Sequence, residues 1–250
     1  MTGISWYSPS FKIIKSIKII RVLKKIKDKI KIIPHGVDLN LFKPPEEKPK
    51  RPFTFLCSKG WRGGMEDRGG VQYVLKAFSE EFTPKDDVRL IIKLNPAYLP
   101  LGFDFAEEMN KIGIKKKEKP EILISTDAVD IKALPSLYHE ADVFVCATRG
   151  EGFNLPGLEA KACGLPTIQT KFGGQLDYMD ESDVYVRYDL KPVQGDIMYE
   201  EVSWAIPDVE HLKKLMRTEY ENRNIKRIES KDLNKWSWGN VAKKVMEELK

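Results

Sequence analysis

ADVFVCATRGEGFNLPGLEAKACGLPTIQT, residues 141–170, decides how the rest of the chain reads. Val143–Ala147 is a short apolar run followed by a polar turn, Thr148–Asn154, and reads as a buried strand. Pro156 opens a helix that Gly164 and Pro166 close, and Pro166–Thr170 reads as the next strand. A strand, a helix and a strand in so short a stretch form a crossover unit, which makes the two strands parallel. Glu151 then stands in the loop at the carboxyl end of the first strand, and Glu159 in the first turns of the helix. That edge of an open α/β sheet is where ligands bind. Two carboxylates that accept from hydroxyls, beside helix-opening amides that attract phosphate, suit a ligand carrying both groups.

Outward from this unit the alternation continues. Phe53–Ser58, Val88–Leu94, Glu121–Ser125 and Val184–Tyr188 read as strands. Val71–Phe82, Phe105–Ile114 and Ile131–Glu140 read as helices, with a short helix after Gly174 and further ones near Pro207–Glu221 and Trp238–Leu249. Strands alternating with helices predict an α/β fold with a doubly wound, mostly parallel sheet of about six strands. The stretch YEEVSWAIPD, residues 199–208, shows no regular pattern, and its Tyr199 and Trp204 are expected to pack on the domain, the alternative being exposed aromatics that meet a partner.

Three segments divide the chain. Residues 1–33 hold eight lysines and one arginine against Asp28 alone, a local charge of +8 within a total of +5, so the remainder is acidic. Residues 34–52 contain IIPHGVDLNLFKP from Ile32 and then the Pro- and charge-rich PEEKPKRP, which reads as a linker. Residues 53–250 form the main domain. Basicity confined to one segment, without a binding motif, argues against a nucleic-acid partner. Within residues 11–30, Ile13, Ile17, Ile20, Leu23, Ile26 and Ile30 recur three or four apart, one face of an amphipathic helix. Its two readings are a helix packed on its own domain and a helix resting on an anionic membrane surface. With 42% hydrophobic and 32% charged residues, no long uncharged apolar run and no signal-like N-terminus, the expected location is the cytoplasm, with peripheral contact at the inner membrane surface left open. Three cysteines and three histidines, scattered, predict reduced buried thiols and no metal site.

Three loops lie at the carboxyl ends of the strands. SKGWRGGMEDRGG, residues 58–70, carries five glycines with Lys59, Arg62 and Arg68. Glycines allow close approach of backbone to an anion, and arginine forks bind phosphate oxygens. The alternative is a flexible loop with solvated charges. RGEGFNLPG, residues 149–157, offers free amides near Phe153–Leu155, and KFGGQ, residues 171–175, adds a glycine pair. Glu159 alone could equally be a surface residue favoured by the helix dipole.

IIPHGVDLNLFKP, the Glu151-to-Glu159 spacing in EGFNLPGLEA, the following ACGLP and the glycine pair together resemble the C-terminal, donor-binding half of GT-B glycosyltransferases of the retaining family 4, group 1. The motifs cover roughly residues 30–180. The resemblance implies a Rossmann-like domain that binds a nucleotide-diphosphate sugar for retaining hexosyl transfer, without metal or cofactor. It implies a catalytic set of Glu151 on the donor sugar with Arg62 and Arg68 on the diphosphate. Arg68 stands where the family has Lys, which keeps the charge but changes its geometry. Gly60 and the amides of Phe153, Asn154 and Leu155 would line the phosphates and sugar, Glu159 would hold the ribose, and Thr126 or Asp127 would lie near the base. His35 occupies a hinge position and is expected to make a hinge hydrogen bond. The family also has an N-terminal domain carrying acceptor contacts, of which only a vestige precedes Pro34. The chain is therefore expected to be a fragment, a natural truncation or one half of a two-chain enzyme that needs an N-terminal acceptor domain or partner chain. A non-catalytic nucleotide-sugar-binding or scaffolding subunit, and a GT-B epimerase, are the competing readings.

Overall fold

The computed structural model describes residues 30–114, 120–193, 202–223 and 232–249. The amphipathic pattern over residues 11–29, and Tyr199, lie outside the described residues.

Six strands form one sheet: β1 (Phe53–Lys59), β2 (Val88–Leu94), β3 (Glu121–Ser125), β4 (Val143–Cys146), β5 (Thr167–Thr170) and β6 (Val184–Val186). Their order is β3-β2-β1-β4-β5-β6, and every neighbouring pair is parallel. The helices are α1 (Val71–Glu81), α2 (Phe105–Lys111), α3 (Leu134–His139), α4 (Leu155–Ala162), α5 (Val209–Glu221) and α6 (Trp238–Glu248). Side chains alternate across the sheet as the pleat demands. Phe55 and Cys57 of β1, Leu90 and Ile92 of β2 and Val143 and Val145 of β4 enter one core with Val74 and Phe78 of α1 and Leu212 and Met216 of α5. Leu56, Ile91, Phe144 and Cys146 enter the other, with Tyr138 of α3 and Leu158 of α4. Burial on both faces is why these strands read as unbroken apolar runs. Cys57, Cys146 and Cys163 are buried free thiols, as expected.

Several boundaries differ from the sequence reading. The helix expected over Phe105–Ile114 ends at Lys111, where Gly113 adopts φ +83°. The strand expected over Val184–Tyr188 divides into β6 and a second strand, β7 (Tyr188–Pro192). The stretch expected to be irregular contains β8 (Ser203–Pro207), which pairs antiparallel with β7 as a separate two-stranded ribbon. Asp208, accepting from the His211 amide at 2.9 Å, caps α5 directly behind β8. Ribbon strands that are only partly buried carry no sustained alternation, so periodicity misses them.

Within the linker-like stretch 34–52, Val37 and Phe42 are buried in the second core. The Val37 amide donates to the Trp236 carbonyl at 2.8 Å and the Trp238 amide to the Val37 carbonyl at 3.3 Å, joining this segment to the start of α6.

Candidate functional site

The strand order reverses between β1 and β4. Their following helices, α1 and α4, pack on opposite faces, so a crevice opens at the carboxyl ends of these two strands. A cleft of about 880 Å³ lies there, and its walls are the loops after β1 and β4.

The β1–α1 loop is a built structure and not a flexible glycine loop. Trp61 is fully buried, its ring edge-on to Phe103 at 5.6 Å and Phe105 at 5.9 Å. The Asp67 carboxylate accepts from the Arg62 amide at 3.1 Å and the Gly69 amide at 2.7 Å. Glu108 accepts from the Gly64 amide at 2.6 Å, and Gln72 donates to the Met65 and Asp67 carbonyls. Gly70 has φ +85°, and a Cβ there would lie 1.9 Å from the Ala147 carbonyl oxygen, so only glycine lets α1 start against the end of β4. So anchored, the loop presents Gly60, Arg62 and Arg68 to the cleft. The Arg62 guanidinium has no partner among the described residues, and Arg68 donates to the Gly150 carbonyl at 3.2 Å.

Across the cleft, Lys59 at the end of β1 holds the β4–α4 loop. Its side chain is 7% exposed, and its Nζ lies 2.9 Å from Glu151 Oε1 and 2.5 Å from Asn154 Oδ1. Burial works against the Lys59 ammonium, but the Cys146 sulfur and the Glu151 carboxylate outweigh it and hold its pKa above the ordinary lysine value. Asn154 adopts the left-handed region at φ 65°, ψ 62°, which asparagine tolerates better than most residues. Its side chain is committed to Lys59 and, at 2.7 Å, to Gln169, and so makes no cap on α4. Pro156 has no amide hydrogen and the Gly157 amide donates to the Asn154 carbonyl at 3.0 Å, so at the start of α4 it is the Leu155 amide that is left for a ligand. Tyr178 donates to the Asn154 carbonyl at 2.9 Å. The network closes over Gly157, where a Cβ would lie 2.2 Å from the Tyr178 hydroxyl.

The third loop, 171–175, does not line the cleft. Gly174 donates to the Glu151 carbonyl at 2.9 Å, and a Cβ on it would lie 1.7 Å from the Gly152 oxygen. This glycine pair lets one backbone buttress another instead of approaching a ligand.

Phe153, Asn154 and Leu155 line the cleft with Glu151. Glu159 does not; it faces an adjoining cavity of about 770 Å³ with Ile131, Lys132 and Trp238, and Leu155 borders both spaces. Its Oε2 accepts from the Tyr138 hydroxyl at 2.5 Å. Burial raises the Glu159 pKa against the opposing effect of that hydrogen bond, and burial beside Glu159 pushes the Tyr138 phenol well up. Thr126 and Asp127 border neither space, and Lys93 donates to the Asp127 carbonyl at 2.5 Å. His35 lines the cleft with its ring 5.3 Å from that of Phe153; among the described residues it makes ring contacts and not the expected hinge hydrogen bond. In the sequence Lys59 is one of three loop cations and Trp204 is expected to pack on the domain; the structure brings Trp204 to the lining of the cleft. The position of Lys59, last in β1 and adjacent to the glycine loop, was the available signal. Trp204 had none, since its ribbon was invisible to periodicity. Among the described residues no group of His, Cys, Asp and Glu side chains is placed to hold a metal ion.

A family model described as glycosyl transferases group 1 matches residues 60–189. The probable sucrose-phosphate synthase of Thermosipho melanesiensis is 32% identical over 168 residues, 64% of this chain and 37% of that protein. Among solved structures, the C-terminal domain of a glycosyl transferase group 1 family protein (LpcC) from Francisella tularensis has a TM-score of 0.52 at 20% identity, covering 86% of this chain and 99% of that one. Anabaena Alr3699/HepE, in complex with UDP-glucose, has a TM-score of 0.56 at 16% identity, covering 88% of this chain and 57% of that one. These two likenesses concern the fold. The chain spans about a third to somewhat over half of the length of the curated relatives it matches. With a family match over half of its length, the chain belongs to the group 1 glycosyl transferases.

Proposed function

We propose that the cleft binds a nucleotide-diphosphate sugar and that the chain is the donor half of a retaining hexosyltransferase. One observation carries this reading: at the switch point, an uncapped helix N-terminus faces the same cleft as Glu151, Arg62 and Arg68. A diphosphate over the amides of Phe153, Asn154 and Leu155 meets the positive end of α4, and Arg62 and Arg68 add charge from the other wall. Gly60 keeps that wall open to the phosphates. Glu151, whose Oε1 is taken by Lys59, has Oε2 to accept from hydroxyls of the sugar. Glu159 in the adjoining cavity reads the ribose, while Thr126 and Asp127, which border neither space, are given no part in holding the base. As the bond from the anomeric carbon to the diphosphate breaks, negative charge grows on the departing phosphate where the arginines and amides already point. That cationic set does the work a metal would do elsewhere. The reported UDP-glucose complex of a protein with this fold supports the ligand class. Acceptor contacts are assigned to a further domain or partner chain, so turnover by this chain alone is expected to be slow.

Proton NMR of the chain incubated with UDP-glucose, GDP-mannose or ADP-glucose tests the chemistry. The expected result is slow release of sugar, first as the donor's own anomer, unaffected by EDTA. Initial release of the opposite anomer would contradict retention, and loss of turnover in EDTA would contradict metal independence.

A further inference from the structure

The β7–β8 ribbon places one aromatic side chain in the cleft, and the proposed reading gives it no role. Trp204 of β8 lines the cleft beside Gly150, where a Cβ on Gly150 would lie 3.5 Å from the indole Cδ1. Arg149 holds both the ribbon and the indole. The Ala205 amide donates to the Arg149 carbonyl at 2.8 Å, tying the ribbon to the β4–α4 loop. The Arg149 guanidinium lies over the ring at 5.2 Å and is itself 4% exposed and paired with Glu66 at 2.8 Å. An aromatic plane pinned in this way loses little further freedom when a ligand arrives.

Its place along the cleft decides what it can touch. The β4–α4 loop runs from Gly150, under Trp204, through Glu151 to Leu155, which borders the second cavity where Glu159 lies. A donor with its nucleoside in that second cavity and its diphosphate over the start of α4 brings its hexose to Glu151. The hexose then lies beside the indole, at the end remote from the nucleoside. One side of a hexose ring is apolar C–H surface, which an aromatic ring accommodates while a carboxylate takes the hydroxyls.

Resting on the donor reading above, we propose that Trp204 is a specificity-determining residue that contacts the sugar ring of the donor and leaves the nucleoside diphosphate untouched. Calorimetry of the full chain separates the two parts of the ligand: UDP against UDP-glucose, GDP against GDP-mannose and ADP against ADP-glucose, for wild type, Trp204→Ala and Trp204→Phe. For the pair that binds, Trp204→Ala should weaken the nucleotide sugar about tenfold while the nucleoside diphosphate changes less than about twofold, and Trp204→Phe should restore most of the loss. Intact diphosphate binding by Trp204→Ala reports that the variant has folded. Equal weakening of both ligands, or of neither, would overturn the proposal while leaving the donor reading in place. Failure of the wild type to bind any of the six would remove the donor reading and this proposal with it.

Discussion

Lys59 sets the geometry of the site, because one ammonium fixes both the carboxylate that would read the sugar and the asparagine that opens α4. Removing one partner of a buried pair strands the other charge, at about 3–5 kcal/mol. Lys59→Met should therefore lower the unfolding free energy in urea by that order, and the double variant Lys59→Met/Glu151→Gln should recover a large part of it. If the double variant is as unstable as the sum of the single ones, the pair does not organise the loop. A second residue-scale consequence concerns acid. Burial would raise the Asp180 carboxyl, but the Ser182 hydroxyl and amide and the Lys161 ammonium outweigh it and hold Asp180 at about 2, against an ordinary 3.8. The folded chain thus binds this proton less readily than the unfolded one, so its contribution is complete above about pH 4 and is lost as pH falls towards about 2. Between pH 5 and pH 3, urea midpoints should fall further for wild type than for Asp180→Asn, and equal falls would contradict the assignment. At this scale the sequence disclosed residue types well and partners poorly. Glu151, Arg62 and Arg68 could be placed on the loops that wall the cleft because loop position and charge are local properties. That Lys59 reaches Glu151 depends on β1 lying next to β4, a register no local pattern carries.

Among the elements, the β1–α1 loop would be the weakest if its glycines governed it, yet Trp61 anchors it in the core between the sheet and α1. Trp61→Ala removes a fully buried ring, which costs about 3–5 kcal/mol. It should also weaken nucleoside diphosphate binding about tenfold or more by freeing Arg62 and Arg68, as titration calorimetry would register. Unchanged affinity would mean that the arginines are positioned without the anchor. Strands β1, β2 and β4 were legible because burial on both faces leaves continuous apolar runs, whereas the mostly exposed β3 was legible from its apolar residues alone. The ribbon was not legible. Its two strands, YDLKP and SWAIP, pair with each other and each exposes part of its length, so neither carries the alternation or the long apolar run that marks a strand. The glycine pair at 173–174 was legible as a special backbone but misread in purpose, since close packing on Gly152 and close approach to a phosphate leave the same sequence mark.

At the scale of the whole molecule, the strand order places the crevice before any side chain is considered. Strands β1 and β4 are neighbours whose chains leave in opposite directions, and both loops that carry the motif residues converge there. The parallel α/β class could be read from alternation alone, and the site from its position at the strand ends. The separation of Glu151 and Glu159 into adjoining spaces could not, because it depends on which way a helix turns its face. Calorimetric titration of the chain with UDP-glucose, GDP-mannose and ADP-glucose, repeated with Arg62→Ala and Glu159→Ala, tests the central claim most directly. The account predicts that at least one of these donors binds with a Kd below about 1 mM and that each variant weakens it about tenfold, the scale of one lost charged hydrogen bond. Binding of none of them below about 1 mM, or variants that bind as the wild type does, would contradict it.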